Sequence, residues 1–209
     1  MEYVYIKSED DIWKLESAGN ILKNGGIVVF PTETVYGIGT NGMDKLSVER
    51  LYKVKQRPKD KAISLMVNSM EMIQKIAKNI SKEEQKIIEN LLPGPLTIIL
   101  KRRKEVPDIV TAGLDTVGVR MPDEKVTLKL IEFAGVPIAA PSANISGMPA
   151  GIDAKDICKE FGDKVDFYID NGKSKIGKAS TIVKVEEGKP VILREGIITL
   201  EDIEKAINS

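Results

Sequence analysis

Apolar residues follow two different spacings that alternate along the chain. Short continuous runs, such as 27–30 and 96–100, are typical of buried strands, whereas 12–22 repeats at intervals of three and four and predicts a helix. Some predicted strands are separated only by a short turn, as around 186–189, so neighbouring strands run in both directions. The pattern therefore predicts one α/β domain with a mixed sheet and flanking helices over residues 1–209.

Local signals predict where several elements begin and end. Ser8, with Asp11 three positions later, predicts a helix start through a variant of the capping box. Ser81 with Glu84 and Thr199 with Asp202 predict the starts of two later helices. The sequence DNGK at 170–173 predicts a tight turn between two strands.

The segment PTETVYGIGTNG, residues 31–42, is punctuated by proline and glycine and predicts a loop. Its three glycines have the G-x-G-x-x-G spacing of a dinucleotide-binding turn. Six residues separate the preceding strand from the first glycine, and the next helix is predicted to begin near Ser47. A dinucleotide turn needs the strand and the helix to adjoin the glycines, so we predict no dinucleotide here.

Composition narrows the chemistry. Lysine plus arginine and aspartate plus glutamate each number 31, which argues against a chain that coats nucleic acid or an anionic membrane. There is no histidine, so histidine bases and histidine-ligated metals are excluded. The one cysteine, Cys158, is predicted to be a buried or half-buried structural thiol, and no disulfide can form within the chain. Apolar runs fall far short of the ~20 residues that span a bilayer, so we expect a cytoplasmic protein without membrane contact.

Polar side chains recur where predicted strands end. Thr32 and Thr34 follow one buried strand, and Arg120 and Arg194 each end another. An arginine in that position suits a two-pronged grip on a carboxylate or phosphate, although a salt bridge at the rim is an equal alternative.

Two further segments point to anion binding. Residues 53–61 hold five cations and one acid and continue past Pro58, which favours polyphosphate binding over a solvated helix end. The segment 140–147, APSANISG, places Ser142 and Asn144 among small residues, although an ordinary turn explains it equally well alone. Together the segments suit phosphoryl or nucleotidyl transfer, in which positioning and charge neutralisation dominate.

The motifs FPTETVYGIG, KQRPKDK, LLPGPLT, TVGVRMP, APSANISG and STIV…ILREG occur in this order. With them the chain resembles the YrdC family of threonylcarbamoyl-AMP synthases, in its short single-domain form, from about Gly25 to Gly196. The resemblance implies a twisted α/β sheet around a basic cavity. It also implies a synthesis of L-threonylcarbamoyladenylate and pyrophosphate from L-threonine, bicarbonate or CO2, and ATP, with Mg2+ carried on the ATP. The product would serve N6-threonylcarbamoyladenosine formation on tRNA, so tRNA and its transferase machinery are further expected partners.

The resemblance also implies residue roles. The L-threonine site would comprise Thr34, Arg120, Ala140 and Ser180. The ATP site would comprise Arg57, Lys61, Thr116, Ser142, Ala150 and Arg194. The catalytic group would comprise Lys55, Arg57, Ser142 and Asn144. Of the basic side chains, those expected to face the ATP phosphates are Lys55, Arg57 and Lys61. No metal site formed by the protein itself is expected.

One position departs from the family pattern. Some members carry a histidine near the substrate threonine where this chain has Met66, so that contact is either dispensable or threonine affinity differs here. Two alternatives to the synthase remain: a module that binds RNA without chemistry, and a related enzyme of the same fold that acts on another carbamoyl-type substrate.

Overall fold

The computed structural model describes the backbone of all 209 residues and every side chain except that of Glu9. Ten strands are present: β1 Glu2–Tyr5, β2 Val28–Phe30, β3 Gly37–Asn41, β4 Leu65–Met66, β5 Leu96–Lys101, β6 Thr116–Arg120, β7 Ile138–Ala139, β8 Phe167–Asp170, β9 Thr181–Glu186 and β10 Lys189–Arg194. The α-helices are α1 Leu15–Lys23, α2 Lys45–Val54, α3 Met70–Ile76, α4 Lys82–Leu91, α5 Asp108–Thr111, α6 Lys125–Ala134, α7 Ala154–Phe161 and α8 Leu200–Asn208. Short 3-10 helices cover Glu9–Lys14 and Gly162–Lys164.

The strands form one mixed sheet in the order β1-β8-β2-β3-β7-β4-β6-β5-β9-β10. β1 and β8 are parallel, whereas β5 and β6 are antiparallel, as are β9 and β10. The predicted fold class, a mixed α/β sheet with flanking helices, is therefore confirmed. The hairpin expected around 186–189 is the β9–β10 connection.

The turn predicted at 170–173 does not join neighbouring strands. β8 pairs with β1 and β2, whereas β9 pairs with β5 and β10 at the other end of the sheet. The prediction was wrong because DNGK leads into a long connection that crosses the sheet. That connection is anchored on the way: Ile176 and Gly177 donate backbone hydrogen bonds to the carbonyls of Glu33 and Thr34.

The loop predicted over 31–42 contains a strand, β3, that pairs with β2 and β7. Its glycines are required by close packing. A side-chain carbon on Gly37 would lie 2.7 Å from the ring of Phe30, and one on Gly39 would lie 2.6 Å from Ile138. The G-x-G-x-x-G pattern thus reflects a strand packed closely against bulky neighbours. The sequence did not indicate a strand here because glycine has no side chain to contribute to an apolar run.

The first helix begins differently from the prediction. Residues Glu9–Lys14 form a 3-10 helix before α1, and Ser8 makes no capping hydrogen bond through its side chain. Asp11 instead accepts a hydrogen bond from the backbone N–H of Lys7. The predicted starts of α4 at Ser81 and of α8 at Thr199 are complete capping boxes.

Most of the core consists of strand residues and the inward faces of the helices. α4 and α8 pack on one another and against β5 and β10, while α1 packs on α6. Cys158 is half-buried and packs against the core, as expected. Among the described residues, none of the helices has the length and apolar character needed to cross a membrane.

Candidate functional site

Six of the residues proposed from sequence line one cavity of about 170 Å³. They are Arg57, Arg120, Ala140, Ser142, Ser180 and Arg194. They come from five separate stretches of the chain, so the fold brings together what the sequence places far apart. Among the described lining residues, none has a carboxylate, whereas three are arginines. The cavity is therefore suited to anions.

Strand ends account for this convergence. Arg120 is the last residue of β6, and Ser180 immediately precedes β9. The segment after β7 is tied to the residues that precede β3 and β4, because Ala143 donates to the carbonyl of Tyr36 and Ala140 donates to that of Ser64. The cavity thus sits at an edge where several strand ends and their connections meet, as ligand sites do in α/β folds.

Arg120 is the best-buried cation at the cavity, with 6 % of its surface exposed. Its Nη2 donates to Thr34 Oγ1 at 2.7 Å and to Thr32 Oγ1 at 3.4 Å, and lies 2.9 Å from Glu33 Oε1. Burial lowers the pKa of the Arg120 guanidinium, and the charge of Glu33 opposes that shift. Thr34 is fully buried and holds Arg120, rather than lining the cavity itself.

Glu33 is the site residue that sequence reasoning missed. Its side chain and that of Arg120 are each only 7 % exposed. Neither carboxylate oxygen of Glu33 accepts a well-aligned hydrogen bond from the described residues. The contact between Glu33 and Arg120 is therefore mainly Coulombic. The available signal was an acid between two threonines in a segment that follows a buried strand.

Arg194 and Ser180 form a second fixed group. Arg194 donates through Nε and Nη2 to the carbonyl oxygen of Ser180, at 3.1 and 2.8 Å, and through Nη2 to Ser180 Oγ at 3.0 Å. Thr97 Oγ1 lies 2.9 Å from the same hydroxyl. Burial lowers the pKa of Arg194, and the charges of Arg120 and Arg57 lower it further. The three arginines therefore raise one another's electrostatic energy, and a bound anion would relieve that repulsion.

Arg57 is held by the loop that follows α2. Its Nε donates to the carbonyl of Lys61 at 3.0 Å, and its Nη2 donates to that of Ala62 at 2.8 Å. The Lys61 side chain is exposed and is not part of the described cavity lining, so this residue contributes a backbone carbonyl to the site.

Contrary to the expectation from sequence, Lys55 does not face the cavity. It is 1 % exposed, and its Nζ donates to the carbonyl oxygens of Ser142 and Asn144, at 2.5 Å each. Asn144 is also turned inward: its side chain accepts from Ser142 Oγ at 2.6 Å and donates to the carbonyls of Ile145 and Met148. Of the four residues expected to be catalytic, Ser142 and Arg57 line the cavity, whereas Lys55 and Asn144 lie behind it.

Thr116 and Ala150 also lie outside the described cavity lining. Thr116 begins β6, four residues before Arg120, so both side chains point to the same face of the sheet. Gly118 lies between them, and a side-chain carbon there would lie 2.7 Å from Ser64 Oγ, so this glycine makes room for the neighbouring Ser64 side chain. Ala150 adjoins Gly151, whose backbone binds those of Tyr36 and Ala143.

The volume of the cavity distinguishes between the two expected ligands, L-threonine and ATP. A cavity of about 170 Å³ is smaller than the ~300–1,000 Å³ typical of sites for drug-sized ligands. The enclosed part suits a small molecule such as an amino acid, and a nucleotide has to extend outward. A larger open groove of about 820 Å³, lined by Trp13, Arg50 and Asp166 among others, contains none of the residues proposed from sequence.

A family model described as telomere recombination, Sua5/YciO/YrdC, matches residues 20–196. The chain belongs to this family. It is 42% identical over 204 residues to the threonylcarbamoyl-AMP synthase of Pyrococcus abyssi, covering 98% of this chain and 60% of that protein. The resemblance inferred from the motifs is thereby confirmed.

Solved structures of the Sua5/YciO/YrdC family have the same fold. P. abyssi Sua5 complexed with L-threonine superposes with a TM-score of 0.92 at 42% identity, covering 99% of this chain and 60% of that one. Escherichia coli YciO superposes with a TM-score of 0.85 at 26% identity, covering 97% of this chain and 98% of that one. This chain therefore spans about 60% of the P. abyssi protein and nearly all of YciO.

The family departure at Met66 lies directly at the cavity. Met66 is opposite Arg120 in the β4–β6 pairing, is 4 % exposed and lines the cavity. Its thioether offers an apolar contact beside the arginine, where a histidine would offer a hydrogen bond.

Proposed function

We propose that this chain is a threonylcarbamoyl-AMP synthase, which makes L-threonylcarbamoyladenylate and pyrophosphate from L-threonine, bicarbonate or CO2, and ATP. The observation that carries the proposal is the convergence of Arg57, Arg120 and Arg194 on one small cavity whose described lining has no carboxylate. The similarity to the P. abyssi synthase, and the L-threonine complex of P. abyssi Sua5, support the choice of substrates.

In this proposal Arg120 binds the carboxylate of L-threonine. Thr34 and Glu33 hold the guanidinium from behind, which limits its motion before the substrate arrives. Ser180 and the backbone at Ala140 complete the amino-acid site, since both residues line the same cavity. Met66 would contact the substrate side chain.

ATP would enter with its phosphates toward Arg57, Arg194 and Ser142, all of which line the cavity. Its remainder would extend out of the cavity toward Thr116. Lys61 and Ala150 would border the nucleotide from the loops that follow α2 and β7. Mg2+ would come bound to the ATP phosphates, because the described lining lacks the carboxylates that Mg2+ prefers.

The chemistry needs position and charge rather than a nucleophile from the protein. The amine of threonine, once neutral, attacks CO2 and loses a proton to give a carbamate. With bicarbonate the same C–N bond forms while a C–O bond breaks and water leaves. A carbamate oxygen then attacks the α-phosphorus of ATP, the bond to the bridging oxygen breaks, and pyrophosphate leaves with that electron pair. Arginines fixed by carbonyl and hydroxyl groups can stabilise the developing negative charge with little reorganisation. This explains how a chain without histidine could catalyse the reaction.

The product would be consumed by a separate transferase that modifies tRNA with N6-threonylcarbamoyladenosine. We place the reaction in the cytoplasm, which agrees with a chain that has a single cysteine and so no internal disulfide.

The proposal is tested by measuring pyrophosphate release from ATP with purified protein. Release should require both L-threonine and bicarbonate in a CO2-depleted buffer. Equal release without threonine would contradict the proposal, and would favour a related enzyme that acts on another carbamoyl-type substrate. If no release occurs but RNA binds without threonine and with steep salt dependence, the chain is an RNA-binding module instead.

A further inference from the structure

Lys55 forms a three-bond connection between the end of α2 and the turn at 142–146. Its Nζ donates to the carbonyls of Ser142 and Asn144, and its own carbonyl accepts a hydrogen bond from the backbone N–H of Ser146 at 3.0 Å. The side chain is 1 % exposed. The ammonium is therefore committed to the interior of the protein and lies behind the cavity.

The turn that Lys55 holds presents one side chain to the cavity. Ser142 lines the cavity, whereas the Asn144 side chain is used within the turn by bonds to Ser142, Ile145 and Met148. A second support comes from α7, where Glu160 accepts from the backbone N–H of Ile145 at 2.9 Å. The position of Ser142 thus depends on groups that do not line the cavity.

We propose that Lys55 is a positioning residue, which fixes the 142–146 turn so that Ser142 faces the cavity, and that it does not itself contact the nucleotide. The inference rests on the proposed function and assigns this residue's part in it. Removing the Nζ donors leaves the buried carbonyl oxygen of Asn144 without a described partner and leaves that of Ser142 with only the backbone N–H of Asn144, which favours rearrangement of the turn.

Charge is not what this role requires. Burial, and next the charge of Arg57, lower the pKa of Lys55 to about 7, while Glu160 opposes the shift. A neutral amine still has two N–H donors, enough for both carbonyls. A neutral side chain that donates two hydrogen bonds should therefore replace Lys55 far better than one that donates none.

The test compares Lys55→Met, which has no donor, with Lys55→Gln, whose amide has two. The matched control is Lys45→Met, at an exposed position on the same helix. Two experiments are carried out on each protein: hydrogen–deuterium exchange of peptides covering 142–148 without nucleotide, and steady-state kinetics of pyrophosphate release, which give kcat and KM.

In Lys55→Met we expect exchange in 142–148 to accelerate, and kcat to fall, each by about tenfold or more, as the loss of one or two buried hydrogen bonds implies. Lys55→Gln should recover most of both quantities, and Lys45→Met should change neither. The loss of turnover should persist at saturating ATP, since Ser142 would remain misplaced.

Three results would overturn the inference. Unchanged exchange with a raised KM for ATP in both Lys55 variants would mean that the ammonium binds nucleotide directly. Faster exchange with unchanged kcat would mean that the turn does not need its support. If Lys55→Met fails to fold, Lys55→Gln decides: rapid exchange and low kcat in that variant also contradict the role. If wild-type protein releases no pyrophosphate, the proposed function fails, but the exchange comparison still tests the support of the turn.

Discussion

Replacing Glu33 by glutamine removes the only ionic partner that the described side chains provide to Arg120. The pair is buried, with each side chain 7 % exposed, and the two charged atoms lie 2.9 Å apart. Removing one partner of a buried ion pair costs about 3–5 kcal/mol, because the other charge stays buried without compensation. Because the Glu33 carboxylate accepts no well-aligned hydrogen bond, we expect Glu33→Gln to lower the free energy of unfolding by about 3 kcal/mol, the lower end of this range.

Thermal and urea unfolding measure this loss. For a domain of this size, each kcal/mol corresponds to roughly 2–4 °C, so Tm should fall by about 6–12 °C. The control is Glu132→Gln, whose ion pair with Lys129 has side chains 36% and 58% exposed, and which should lose no more than about 1 kcal/mol. Combining Glu33→Gln with Arg120→Met should recover much of the lost stability, since no buried charge is then left unpaired.

The substrate gives a second readout for the same variant. If Arg120 binds the carboxylate of L-threonine as proposed, that carboxylate supplies the negative charge that Glu33→Gln removes, so saturating L-threonine should raise Tm more in the variant than in the wild type. A stability loss below about 1 kcal/mol, equal to that of the Glu132→Gln control, would refute the reasoning. It would mean that water or a rearranged side chain already neutralises Arg120.

The remaining predictions concern the cavity, the sheet and pH. Ser142→Ala and Arg57→Ala should each lower turnover by about tenfold or more with little change in Tm, since each removes a group that lines the cavity and that we propose contacts the phosphates; a large fall in Tm would show a structural role. Gly39→Ala should destabilise the fold by about 1–3 kcal/mol in urea unfolding, because the added carbon would lie 2.6 Å from Ile138, and an unchanged midpoint would contradict that packing. Because burial lowers the pKa of Lys55 from 10.5 to about 7, the unfolded chain binds more protons between those values. The unfavourable free energy of burying a charged Lys55 is therefore present in full below pH 7 and disappears as pH rises toward 10.5. The free energy of unfolding of the wild type relative to Lys55→Met should increase from pH 7 to 9, by at most about 1.4 kcal/mol per pH unit. A free-energy difference that does not change with pH would refute the lowered pKa of Lys55.

The order of strands and helices was largely predictable from the sequence, because apolar spacing and capping residues are local signals. The starts of α4 and α8 were correct for this reason. β3 was missed because its glycines are explained only by Phe30 and Ile138, which belong to other strands. The 170–173 turn was misjudged because strand pairing across the sheet is not encoded locally.

The site was predictable to a similar extent. The motifs identified the segments that meet at the cavity, but not the direction of each side chain. Lys55 and Arg57 are two residues apart in a basic segment, and burial alone separates the first, held inside, from the second, which lines the cavity. Glu33 could be assigned only once its contact with Arg120 was visible.

The most direct test of the whole account is mass spectrometry of the product formed from isotopically labelled bicarbonate. With ATP, L-threonine and labelled bicarbonate, the protein should form threonylcarbamoyladenylate that carries the label in its carbamoyl carbon, and Arg120→Met should form little of it. An adenylate without the label, or equal amounts of labelled product from the Arg120→Met protein, would contradict the claim that this cavity joins the three substrates.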